Sequence, residues 1–225
     1  MKRWLLITTI VVVAGCGQVT EPIAFGSQSV VWGEVQSAAD QPAEQWSWPT
    51  VSEDTVITIW PYALWDQASC HSDWPSVVTL LGTSYQAPYP PCDQTAYDTW
   101  LRAAVTQYQT KVVAWQVVAA PAQQDPPFAN YIGSASSYAD LSVHTAQTLH
   151  AADPAALVMV GEMSTASPNS ITWFVDLLAR SDVQTNLDLF STSVDNAVLK
   201  SLLDKTSWTK PVWVVGADQL FYTDL

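Results

Sequence analysis

The chain has 225 residues, 48% of them apolar and 13% charged, with 21 acidic against eight basic side chains and a formal net charge of −13. That is enough apolar sequence for one folded domain and too much for a disordered chain. The acidic balance repels phosphate backbones and excludes nucleic acid as a natural partner.

At the N-terminus, Lys2 and Arg3 precede an apolar run over residues 4–14, broken only by Thr8 and Thr9. The run falls short of the about 20 apolar residues that a bilayer core demands, so it reads as a processing signal. Val13-Ala14-Gly15-Cys16 resembles a bacterial lipobox, in which the cysteine is acylated and becomes the first mature residue. The resemblance implies a signal peptide over 1–15, lipidation of Cys16, a spacer over 16–27 and a domain over 28–225. It also implies an exported protein, lipid-anchored to the bacterial cell membrane or outer membrane. The alternative is an ordinary secretory peptide. Without Lys2 and Arg3, six basic residues face 21 acidic ones, a net charge of −15.

After the spacer, short apolar runs alternate with helical patterns. Residues 29–32 and 56–60 are the first two strand-like runs, and a long loop containing Cys70 and Cys92 follows. Residues 95–109 form a helix, with Tyr97, Leu101, Ala104, Val105 and Tyr108 at helical spacing. Residues 112–118 are a continuous, β-branched apolar run suited to a buried parallel strand. Further helices are expected over 137–151, 171–180 and 197–205, and further strands over 156–161, 187–193 and 211–217. Ser167-Pro168-Asn169-Ser170 supplies the N-cap chemistry for the helix after it. Six strands in this alternation predict an α/β fold with a parallel sheet.

Export places Cys70 and Cys92 in an oxidising compartment, so a disulfide between them is expected, closing a loop rich in Pro, Tyr, Ser and Asp. The alternative is two free thiols. No metal site is expected, because neither cysteine is accompanied by a ligand at the usual spacing, and His144 and His150 sit six apart on one helix. Nothing in the sequence calls for a cofactor. Twelve tryptophans are a high count; most read as core, though their flat faces also suit sugar rings.

The second half carries a specific resemblance. Trp115-Gln116-Val117-Val118-Ala119-Ala120-Pro121 resembles the Trp-Glu-Ile/Val-x-Asn-Glu-Pro segment that ends strand 4 of clan A glycoside hydrolases. Ala152-Asp153-Pro154 followed by residues 155–158 resembles the clan's turn into strand 5, and Asp188 fits before strand 6. Lys210-Pro211-Val212-Trp213-Val214-Val215-Gly216 resembles its strand 7 segment. Weaker matches are Trp32-Gly33-Glu34-Val35, Trp46-Ser47-Trp48, Pro61-Tyr62-Ala63 and Trp65-Asp66-Gln67, and together they cover about residues 28–219. The resemblance implies a TIM-type (β/α)8 barrel, here incomplete. About six strands are recognisable, 49–55 is too short for a helix and strand, and Leu225 precedes any eighth strand.

The departures fall on the chemistry. Ala120 stands at the acid/base position and Ala119 before it, Gly216 at the nucleophile position, and Ser193 where a histidine is frequent. Retaining hydrolysis needs two carboxyl groups about 5–5.5 Å apart, which Ala and Gly cannot supply. The expectation is therefore a non-catalytic barrel binding an oligosaccharide, a polysaccharide or a protein partner. Two alternatives stay open: an active O-glycosyl hydrolase using displaced carboxylates such as Glu162 and Asp218, or a vestigial, truncated glycosidase. Trp60, Tyr62, Trp65, Asp66 and Gln116 are the candidate ligand residues, being at or near strand C-terminal ends, the functional face of such barrels. Counted by alternation from position 120, Trp115 and Trp213 are expected to point outward against helices.

Overall fold

A computed structural model describes residues 26–32, 46–71, 78–80, 83–85, 89–122, 130–164, 167–194, 196–216 and 219–223. Cys16, the signal and most of the spacer, Glu34, Asp195 and Asp218 lie outside the described residues, as does the side chain of Trp65.

All six expected strands form, each from an apolar run that a two-sided burial requires. They are β1 (Gly26–Val31), β2 (Thr55–Trp60), β5 (Val112–Val117), β6 (Val158–Met163), β7 (Leu189–Thr192) and β8 (Val212–Gly216). They pair in parallel in the order of the sequence, β1-β2-β5-β6-β7-β8. The two β-strands of a small antiparallel hairpin, β3 (Val78–Leu80) and β4 (Thr83–Tyr85), lie in the cysteine loop. A seventh sheet strand, β9 (Gln219–Thr223), turns back antiparallel on β8 and occupies the edge where a further parallel strand would extend a barrel.

The helices are α1 (Leu64–Cys70), α2 (Gln94–Tyr108), α3 (Ala135–Ala152), α4 (Pro168–Leu178), α5 (Ser181–Asn186) and α6 (Asn196–Thr206). Their starts are chemically marked. The side chains of Asp93, Ser134 and Ser167 accept hydrogen bonds from the backbone N–H three residues on, satisfying donors that the first turn leaves free. Pro168 fits the first turn of α4, where its missing N–H costs nothing. Among the described residues no helix is long and apolar enough to cross a membrane.

The helices pack in series on one side of the sheet: α2 on α3, α3 on α4 and α5, and α4 on α6. Parallel strands in sequence order with all crossovers on one side are singly wound, which is the barrel arrangement rather than the doubly wound one. The helix-side core includes Ile57, Ile59, Trp115, Val117, Val160 and Phe190. The opposite face buries Val56, Ala114, Met159, Leu189 and Trp213. Trp115 thus packs outward as expected, but Trp213 does not. Val212 pairs with Phe190, whose ring packs on Phe174 of α4 at 5.5 Å, so Val212 takes the helix side and Trp213 the inner face.

Three sequence boundaries shift. β1 begins at Gly26, inside the stretch expected as spacer. β5 ends at Val117 because Val118 adopts a left-handed backbone (φ 52°). β6 starts at Val158 and continues to Met163 through a register irregularity between Val160 and Met163.

Candidate functional site

The site expected from the sequence is the C-terminal end of the parallel strands, and its floor is a polar chain on the inner sheet face. Thr58 donates to Gln116 Oε1 at 2.8 Å, and Gln116 Nε2 donates to Ser191 Oγ at 3.3 Å. Ser191 in turn donates to the Val160 carbonyl at 3.3 Å. Gln116 is 7% exposed, and both ends of its amide are engaged within the protein, as a buried polar group requires. Ser191 belongs to the second strand along from Gln116. A side chain bridging that gap means the sheet curls toward this face, since flat neighbours lie about 4.8 Å apart per strand.

Beyond the floor, β5 leads into the Ala119-Ala120-Pro121 turn. Ala120 is buried and left-handed, with φ 47°. The turn is held from two directions: Asn130 Nδ2 donates to the Ala119 carbonyl at 2.9 Å, and the Tyr62 hydroxyl donates to the Asn130 carbonyl. Burial pushes the Tyr62 phenol well above its ordinary range, so it remains a donor at any physiological pH. Gly216, at the end of β8, pairs with Gln219 across the return to β9.

Trp60 and Tyr62 are half-buried aromatics on this end of β2, their ring centroids 6.0 Å apart and tilted by 49°. Strand alternation places Trp60 on the same face as Thr58, hence on the Gln116 side. Glu162 follows β6, and Ser193 at the end of β7 donates to its Oε1 at 2.7 Å. The other carboxylate near this end, Asp66, is 1% exposed. Its Oδ2 accepts from Cys92 N–H and its Oδ1 from Asp93 N–H, both at 2.7 Å, so it clamps the cysteine loop. Desolvation is the largest influence on Asp66 and raises its pKa above the ordinary carboxylate value, against the opposing backbone hydrogen bonds.

The disulfide between Cys70 and Cys92 forms as expected. His71 stands beside it, which the sequence argument against a metal ligand near the cysteines overlooked. Among the described residues, ligand atoms of Cys70, His71 and Cys92 all lie within 4.8 Å of one another.

Comparison with solved structures places this architecture. An endo-β1,6-glucanase matches 85% of the chain with a TM-score of 0.53 at 9% identity, and the chain spans 48% of its length. The protein has a glycoside hydrolase-like α/β fold. A family 39 glycoside hydrolase from the gut symbiont Bacteroides cellulosilyticus WH2 (TM-score 0.48, 14% identity) and a GH30 xylanase from Talaromyces cellulolyticus (TM-score 0.48, 11% identity) each match 74% of the chain. The chain spans 32% and 42% of those two structures, so it covers less than half the length of these glycoside hydrolases. No protein-family model and no curated protein matches it.

Proposed function

We propose that this chain is an exported lipoprotein, anchored through Cys16, whose glycosidase-like sheet binds carbohydrate without hydrolysing it. The observation that carries this reading is the Ala119-Ala120 turn. It lies at the end of β5, where the resemblance calls for the acid/base, and it is buried and held by Asn130. A carboxylate is missing there, and Gly216 offers none at the end of β8. Covalent and acid–base roles supply many powers of ten in rate, so their joint loss removes the retaining mechanism. The half-buried Trp60–Tyr62 pair at the same end supplies aromatic faces suited to sugar rings. One stacked aromatic contributes on the order of 1 kcal/mol, so binding of a β-linked oligosaccharide is weak for one copy and strengthened by clustering on a membrane.

Two assays test this. Purified protein should not hydrolyse aryl β-glycosides above background, and a glycan array read with multivalent protein should report a β-linked glycan. Replacing Trp60 or Trp65 by alanine should abolish that signal. Turnover that survives repurification and disappears in Glu162→Gln would replace this reading with an active enzyme, since Glu162 and its Ser193 partner stand at the same end of the sheet. No glycan signal at all would favour a protein partner or a vestigial product.

A further inference from the structure

We propose that Cys70, His71 and Cys92 form a Zn2+ site once their disulfide is reduced, with two thiolates and one imidazole as ligands and a fourth position left to water. The three ligand atoms already lie within 4.8 Å of one another. Zinc–thiolate bonds of about 2.3 Å at a tetrahedral centre put the two sulfurs about 3.8 Å apart, so the cysteines need to separate by only a small side-chain movement.

The backbone around them is held by contacts that do not depend on the S–S bond. Asp66 accepts from both Cys92 N–H and Asp93 N–H at 2.7 Å. Gln67 donates to the Tyr89 carbonyl and accepts from Tyr89 N–H, each at 3.0 Å. Helix α1, which ends in Cys70, therefore grips the segment carrying Cys92 through side chains one turn before the disulfide. The third ligand is held as well. The His71 ring stacks on Tyr89 with centroids 4.3 Å apart and 20° between planes, and its Nε2 lies 3.0 Å from the Pro90 carbonyl. A backbone carbonyl on one ring nitrogen is the usual outer partner of a metal-bound histidine: it fixes the tautomer and leaves the other nitrogen's lone pair for the metal. Cys70 is exposed and Cys92 and His71 are half-buried, so both a reductant and an ion can reach the cluster.

The chemistry balances in two steps. A dithiol reductant transfers two electrons and two protons, the S–S bond breaks to give two thiols, and the reductant leaves as its own disulfide. Zn2+ then binds both sulfurs and His71, and the two thiol protons pass to solvent. Thiolate and imidazole together favour Zn2+ over oxygen-seeking cations such as Mg2+ or Ca2+.

The test uses the full chain carrying Cys16→Ala, so that no other thiol is present, reduced and freed of reductant without air, with Co2+ as the spectroscopic probe. The expected result is a thiolate-to-cobalt charge-transfer band saturating at one ion per chain and bleached by Zn2+. It should be absent from the oxidised protein and from Cys92→Ser, and His71→Ala should weaken binding by roughly tenfold or more, at least the loss that removing an outer partner causes. Far-ultraviolet circular dichroism follows the fold throughout. A folded, reduced chain without the band overturns the proposal, and so does a band of undiminished affinity in His71→Ala. Unfolding on reduction also overturns it, because the site rests on Asp66 and Gln67 keeping the cysteines together.

Discussion

The hydroxyl of Tyr138 accepts a hydrogen bond from the Gly161 backbone N–H at 2.9 Å and donates one to the Val117 carbonyl. A side chain from α3 thereby fills the rung that β5 and β6 lose where their pairing stops at Val117 and Val160. The approach is close: a Cβ at position 161 would lie 2.1 Å from the Val118 carbonyl and 2.7 Å from the Tyr138 hydroxyl. Glycine is needed there for space. Tyr138→Phe keeps the packing but leaves a buried N–H and a buried carbonyl without partners, at a cost of about 1–3 kcal/mol. Urea unfolding should show this loss as a lower midpoint with an unchanged slope; a midpoint equal to wild type would mean the hydroxyl is not part of the sheet's bonding.

Asp66 makes stability depend on pH in a direction opposite to the usual carboxylate. Its pKa is raised in the folded state, chiefly by desolvation, so folding favours the protonated form. The stability it contributes is full below the ordinary carboxylate value of about 3.9 and falls as pH rises through the elevated folded value. Asp66→Asn removes one of the two acceptors for the Cys92 and Asp93 N–H groups and costs about 1–3 kcal/mol at any pH. The cost should be greater at pH 3 than at pH 7. Chemical unfolding of both proteins at the two pH values measures this, and a cost that grows toward neutral pH would contradict the raised value.

The Cys70–Cys92 bond, with 22 residues of separation, constrains the unfolded chain. By the loop-entropy estimate its removal in Cys70→Ala/Cys92→Ala costs about 3 kcal/mol. The native contacts of Asp66 and Gln67 remain in that variant, so the loss should appear in the unfolding midpoint while the circular dichroism of the folded state is preserved. Thiol titration of the denatured, unreduced wild type should find none free.

The anchor is tested by fractionation. Cys16→Ala should move the protein from the membrane to the soluble exported fraction; if the variant stays with membranes as wild type does, the chain is held there by something other than a lipid.

The six parallel strands were legible because each is a short apolar run bounded by turns, and burial on both faces permits no other pattern. The four longer helices were legible from spacing and from Asp93, Ser134 and Ser167 at their starts. What escaped lacked such marks. Neither α1 nor α5 has a side-chain cap, since Ala63 and Arg180 stand at their N-cap positions, and each is two turns or less. The return of β9 onto β8 crosses residues 217 and 218, Ala-Asp, without the glycine or asparagine that announces a tight hairpin. The inner direction of Trp213 escaped because alternation along one strand says nothing of the neighbour's register, and it is the Phe190–Val212 pairing that decides it. At the site, Gln116 was recognised as an interior polar residue, but its partners Thr58 and Ser191 are 58 and 75 residues away, beyond any local pattern. Glu162 could be placed after a strand, whereas its bond to Ser193 depends on the irregular register of β6 against β7.

Strand order that follows sequence order also makes this sheet divisible. Each parallel strand leans on the one just before it in the chain, through a single helical crossover, and no segment must thread between others already in place. Units can thus be added or removed at either end without rewiring the middle, much as in a solenoid, and the cost of a missing unit is confined to one exposed edge. On the β8 side that edge is taken by β9, a strand supplied by a local reversal instead of a distant part of the chain. A sheet finished in this way can hold its curvature, through Gln116, without the circle being complete.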